Sequence, residues 1–137
     1  MALTLTHPTA GPANTPVVLT LPPDLIWANE FAWRPIEQTS QHTTTGALVV
    51  DQWTRQTGRA IELRGDAQSG WIARSALRTL HTWSAAPGVT FSLSINGTAY
   101  SVIFDHAAGA LKAEPVVAFA DPIDADWYIP TLYFLTA

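Results

Sequence analysis

The chain has 137 residues, a net charge of −4 from seven basic and eleven acidic side chains, and no cysteine. That length fits one domain. The missing cysteines exclude a disulfide scaffold, a thiol nucleophile and cysteine-based zinc or iron–sulfur sites. The last quarter is the acidic part, where Asp105, Glu114, Asp121, Asp124 and Asp126 face only Lys112. This argues against nucleic acid as the main partner, because phosphate binding needs clustered Lys and Arg.

Hydrophobic residues make up 47% of the chain and charged residues 13%, about half the usual charged share of roughly 25%. Two readings follow: a surface covered by a neighbouring subunit, or a small β-rich domain with a Thr/Ser surface. The N-terminus has no basic region followed by an apolar run, so no signal peptide is expected. No window approaches the ~20 apolar residues of a membrane span. A soluble protein is expected, with no membrane partner.

In chain order, residues 1–16 carry Pro8, Pro12 and Pro16 among Gly, Ala, Thr and Asn and are expected to form a flexible arm. Residues 17–137 are then a single β-rich domain. Val17–Leu21 (VVLTL) reads as a strand stopped by Pro22-Pro23. The segment DLIWANEFAWRP holds no clean period and is read as extended or a short turn. IEQTSQHTTTGALVVDQWT has strand propensity, with Gly46 as a possible bulge. In TGRAIELRGD, Ile61 and Leu63 alternate with Glu62 and Arg64, which places the two apolar residues inward.

Ile72, Ala76, Leu77, Leu80 and Trp83 or Ser84 share one face of a helix over about 72–86, closed by Pro87-Gly88. Arg74 and Arg78 lie one turn apart on its outer side. Val89 to Asp105 forms a hairpin around Asn96-Gly97, a pair suited to a type I′ turn. LKAEPVVAF is a strand that Pro115 marks as an edge, and WYIPTLYFLTA a last strand whose early part Pro130 also places at an edge. The six tryptophans are expected mostly in the core, with one or two at an interface. The fold class is mainly β (α+β): a β-sandwich or partly closed barrel with one flanking helix.

Chemical motifs are sparse. His7, His42, His81 and His106 are scattered, with none of the spacing a zinc site favours. Ser101, Asp105 and His106 lie close in sequence, but Ser101 sits inside a strand rather than on a nucleophile turn. Asp121, Asp124 and Asp126 lack the spacing of a calcium loop. Gly58-Arg59 lacks the rest of a phosphate loop. Arg64-Gly65-Asp66 matches an adhesion tripeptide, yet it follows a strand and reads as a turn. Trp27, Phe31 and Trp33 beside Asp24, Glu30 and Glu37 could imitate a glycan-binding cleft. No cofactor loop, metal set or nucleophile–base pair is legible, and the expectation is a non-enzymatic protein without cofactors.

The order of elements from Gly58 to Phe104, with GRAIEL, GWIARSALRTL and INGTAYSVIF in succession, resembles small tail-tip proteins of long-tailed bacteriophages, the distal-tail and baseplate-hub components. DLIWANEFAWRPIEQ before it and DWYIPTLYFLTA after it fit the same pattern, so the likeness spans about two-thirds of the chain. The resemblance implies a β-sandwich or barrel with a flanking helix, used as a subunit of a six-fold ring linking tail tube to tail tip. It implies residence in the virion tail after assembly in the host cytoplasm, with tube and hub subunits as partners. The chain departs from the distal-tail pattern in having no room for a second, carbohydrate-binding-like domain. A tail-completion or tube-end connector, or a small glycan- or receptor-binding module, are the alternatives. Expected interface residues are Trp27, Phe31, Trp33, Arg74, Arg78, Pro115 and Pro130, together with the N-terminal arm.

Overall fold

Alternating apolar residues need a covered face, and in this chain nearly every strand supplies one. The computed structural model describes residues 3–117 and 121–137. Its strands are β1 (Leu3–His7), β2 (Val17–Leu21), β3 (Ile26–Trp27), β4 (Ile36–His42), β5 (Leu48–Thr54), β6 (Ala60–Arg64), β7 (Ile72–Ala73), β8 (Phe91–Ile95), β9 (Thr98–Phe104), β10 (Leu111–Pro115) and β11 (Trp127–Thr136), with one helix, α1 (Arg74–Ser84). The expected strand over 111–119 is seen over Leu111–Pro115; Ala118, Phe119 and Ala120 lie outside the described residues.

The main sheet runs β2-β1-β8-β9-β11-β6-β3, with β10 and β7 also paired to β11, and every pairing is antiparallel. The register places Leu5 opposite Leu93, Phe91 opposite Val102, Phe104 opposite Phe134 and Leu132 opposite Leu63. One face of the sheet thus collects one core, which α1 covers with Leu80 and Trp83. An 11-residue helix cannot roof so many strands, so the sheet curls over its own core. Leu3 near one end of the strand order and Trp27 at the other line a common cleft. The curl does not close, because β2 and β3 are not paired. The protein is mainly β with one helix, of sandwich type and without a closed barrel.

The N-terminal segment expected as a flexible arm is in part a sheet strand. Leu3 and Leu5 are buried, and β1 pairs on both sides. The alternation in LTLTH carries this, and the prolines that suggested an arm begin only after it. His7 is buried with them. Its Nδ1 accepts the Thr9 N–H at 3.0 Å, and its ring meets Trp83 and Phe91 at centroid distances of 5.3 Å. At the β8–β9 connection Ile95 faces Thr98, and Asn96 and Gly97 have φ of 52° and 79°, the positive values of a two-residue turn.

β11 is the spine, and on each of its edges one strand is interrupted. Phe104 faces Phe134, and Leu111 faces Leu132. Between them Asp105 N–H donates to the Tyr133 carbonyl, and Tyr133 N–H to the Ala110 carbonyl. Residues 106–109 therefore leave the ladder and rejoin it. On the other edge Arg64 faces Thr131 and Ile72 faces Tyr128, so residues 66–71 leave in the same way. Each excursion starts at an aspartate whose carboxylate accepts N–H groups of its own loop. Asp66 Oδ1 takes those of Gln68 and Ser69 at 2.7 and 2.9 Å, and Asp105 Oδ1 that of Ala108 at 3.3 Å. Local side-chain bonds of this kind compete with the ladder and favour a turn.

This arrangement corrects the expectation that Pro130 marks a sheet edge. Pro130 is fully buried in the central strand. Its carbonyl accepts the Gly65 N–H at 2.8 Å. The N and C=O of a strand residue face the same neighbour, so the missing donor of Pro130 points where β6 gives way to the excursion. A central proline is tolerated because its partner strand departs there.

Candidate functional site

The segment from Ile36 to Thr54 is not one bulged strand but a hairpin. Ile36 pairs with Thr54 and His42 with Leu48, and Gly46, with φ of 87°, sits in the turn. β4 and β5 form a two-stranded sheet of their own, neither paired to nor packed broadly against any other element. At ~3.4 Å per residue the arm is about 24 Å long. Ile36, Leu48, Val49, Val50 and Trp53 are each between 41% and 57% exposed. An isolated hairpin is marginal in water, and these apolar side chains, divided between its two faces, are left uncovered.

The arm is anchored at its base. Arg55 N–H donates to the Pro35 carbonyl at 2.7 Å, and its guanidinium pairs with Glu37 and lies 5.3 Å from the Trp33 ring centroid. Beyond that base the two faces differ. Pairing places Glu37, Thr39 and Gln41 beside Trp53, Asp51 and Val49 on one face, and Ile36, Gln38 and Ser40 beside Thr54, Gln52 and Val50 on the other. Both carboxylates of the hairpin are on the first face. Asp51 takes part in no ion pair among the described residues.

The expected interface residues fall into separate places. Trp27 is half-buried, with the Arg59 guanidinium 4.6 Å from its ring centroid and Tyr100 edge-on at 5.9 Å. Phe31 is 91% exposed and stands in the loop that leads to the arm. Trp33 is half-buried at the arm's base. Arg74 and Arg78 are brought together by Asp124 Oδ1, at 3.3 and 3.2 Å. Pro115 is exposed at the end of β10, whose outer edge has no partner strand among the described residues. Pro130 is buried and presents no interface. Of the six tryptophans only Trp83 is fully in the core, and Trp53 and Trp127 are half exposed.

α1 and β10 enclose a groove of about 260 Å³, with Leu77, Leu111, Ala113 and Tyr128 in its apolar lining and Arg74, Arg78 and His81 beside them. A second pocket, of about 400 Å³, lies beyond the end of α1 between Phe91, Ile103, Phe104 and His106. Ser101 points away from the core on β9, and no hydrogen bond joins it to Asp105 or His106. Among the described residues no three His, Asp or Glu side chains gather to hold a metal, and no helix is long and apolar enough to cross a membrane.

The arm was missed in the sequence because its two strands were read as one. The signal was present: two runs of strand formers, IEQTSQH and LVVDQWT, flank a TTTGA turn. The usual hairpin cue, alternation with one buried face, is absent because the arm has no buried face within this chain.

No family model, curated protein or solved structure matches the chain.

Proposed function

We propose that this chain is a non-enzymatic structural subunit of a ring in the tail of a long-tailed bacteriophage, at the distal-tail or baseplate-hub position between tube and tip. The observation that carries the reading is the β4–β5 arm. It exposes apolar side chains along its length and, among the described residues, packs broadly on no other element, so it calls for an outside partner. A curled β body with unpaired edges at β2, β3 and β10 supports the same reading, since edges left open are a liability unless a neighbour covers them. Head-to-tail contacts that close by rotation make a ring; on this reading the protein resides in the virion tail after assembly in the host cytoplasm.

We favour the ring over the glycan-binding alternative because a guanidinium lies over one face of Trp27 and one of Trp33, which narrows the indole surface open to a sugar. A tube-end connector would use the same arm, and the two positions differ in which tail proteins join the ring. The test is size-exclusion chromatography with light scattering and negative-stain microscopy, on the chain alone and with tube and hub proteins. A single ring species, six-fold in projection, is expected. A strict monomer that joins no tail assembly would refute the proposal.

A further inference from the structure

Resting on that reading, we propose that the acidic face of the β4–β5 arm seats in the groove between α1 and β10 of a second copy of this chain, with Asp51 against Arg78 and Trp53 over the apolar floor. The groove and the arm match in three respects. The first is charge. Arg74, Arg78, His81, Asp124 and Tyr128 are the titratable groups at the groove. Two guanidinium groups share one carboxylate, which leaves a cationic excess. Arg78 is 65% exposed and able to turn to a second carboxylate. The arm offers Asp51 on the only one of its faces that carries acids.

The second is apolar fit. Val49 and Trp53 flank Asp51 along β5 on that same face, and the groove has Leu77, Leu111 and Tyr128 beside its arginines. An apolar anchor ringed by charge is the usual build of an interface centre.

The third is the backbone. In β10 the pairing alternates, so Lys112 and Glu114 bond to β11 while Ala113 turns its N–H and C=O outward. No described residue takes them up. The outer edge of β5 is equally unpaired. Adding β5 of one copy to β10 of the next satisfies both edges by strand addition and places alternate β5 side chains on the helix side of β10. The two surfaces are different parts of the molecule, so the contact is head-to-tail, as a closed ring requires.

The test uses the full chain and measures self-association by sedimentation velocity, with thermal melts as the control for folding. Asp51→Arg and Arg78→Asp should each weaken association about tenfold or more, and the double variant should recover most of the loss, since complementary charges across an interface couple. The milder Asp51→Asn and Arg78→Gln should act in the same direction by less. Melting measured at a concentration too low for association should hardly move, because both positions are exposed. If wild type assembles and the reversals change nothing, the docking mode is wrong while the ring reading stands. If wild type never associates, the ring reading fails and takes this inference with it. If association appears only with another tail protein, and Arg78→Asp alone abolishes it, the occupant is not a second copy.

Discussion

Leu63 offers the most direct measure of whether one curled sheet with one core describes this protein. It is 1% exposed on β6, opposite Leu132 on β11 and Trp27 on β3. Leu63→Ala removes three buried carbons, worth about 2.4 kcal/mol at ~0.8 kcal/mol each. Strands on both sides hold the site open, so a residual cavity of about 40 Å³ would add about 1 kcal/mol at ~24 cal/mol per Å³. The sum is about 3.4 kcal/mol. An unfolding entropy of ~2.1 cal/mol/K per residue gives roughly 0.29 kcal/mol/K for this chain, hence a melting shift of about 12 °C. The assay is thermal unfolding followed by circular dichroism at fixed concentration, since association also shifts the midpoint. Glu62→Ala, one residue away on the opposite face and beside Tyr133, is the comparison and should move the midpoint by no more than about 3 °C. Equal shifts for the two variants would refute the inward placement of Leu63 and the register that sets it.

Four further outcomes follow, three of them from the excursions beside β11. Gly70 has φ of 75°, and a Cβ there would lie 2.9 Å from the Gly65 Cα and 3.0 Å from Leu25 Cδ2; Gly70→Ala should destabilise by ~2–4 kcal/mol in denaturant titration. Gly46→Ala, in the open turn of the arm with φ of 87°, should cost only ~1–2 kcal/mol. The N–H groups of Gln68 and Ser69 hold the Asp66 carboxyl below its usual 3.8, the Gln68 bond being the largest cause. A carboxyl lowered by folding stabilises the fold fully above its unfolded value, and that contribution disappears as pH falls through the lower folded value. An NMR titration should place the Asp66 midpoint below 3.8 and show the Gln68 amide shifting with it; a midpoint at or above the ordinary value would refute the turn. Pro130→Ala should cost about 2–3 kcal/mol, because two buried ring carbons are lost at ~0.8 kcal/mol each and the unfolded chain gains entropy worth ~0.4–1 kcal/mol, while no ladder bond is lost. A loss above ~4 kcal/mol in the same titration would contradict the open position opposite Gly65.

The strands with one buried face were legible from the sequence. Ile61 and Leu63, Phe91 and Leu93, and Val102 and Phe104 alternate as their burial does, and the helix residues Leu80 and Trp83 fall where a 3.6-residue period puts them. What was not legible has two physical causes. Each excursion resets the alternation, so Leu63 and Ile72 both point inward at an odd spacing. A reader following period two loses the strand at Gly65, and Ile72, which lies in β7, was placed on the helix face instead. The candidate site was hidden for a different reason. Val49 and Trp53 carry no internal counterpart, and sequence pattern reports only contacts a chain makes with itself. Arg74 and Arg78 were singled out as an outer pair, but Asp124, which joins them, lies 46 residues beyond Arg78 in what read as a solvated acidic turn.

The two excursions also make the protein unusually easy to modify from outside. Gln68 and Ala107 are exposed residues already outside the ladder, bracketed by backbone bonds that hold β11 in register. Lengthening such a loop costs only about 0.6 kcal/mol for each doubling. A peptide tag or a single labelling cysteine at either position, in a chain that has no cysteine of its own, would report on the body without touching the arm. The tight Asn96-Gly97 turn offers no such room, because its two residues set the pairing of β8 with β9.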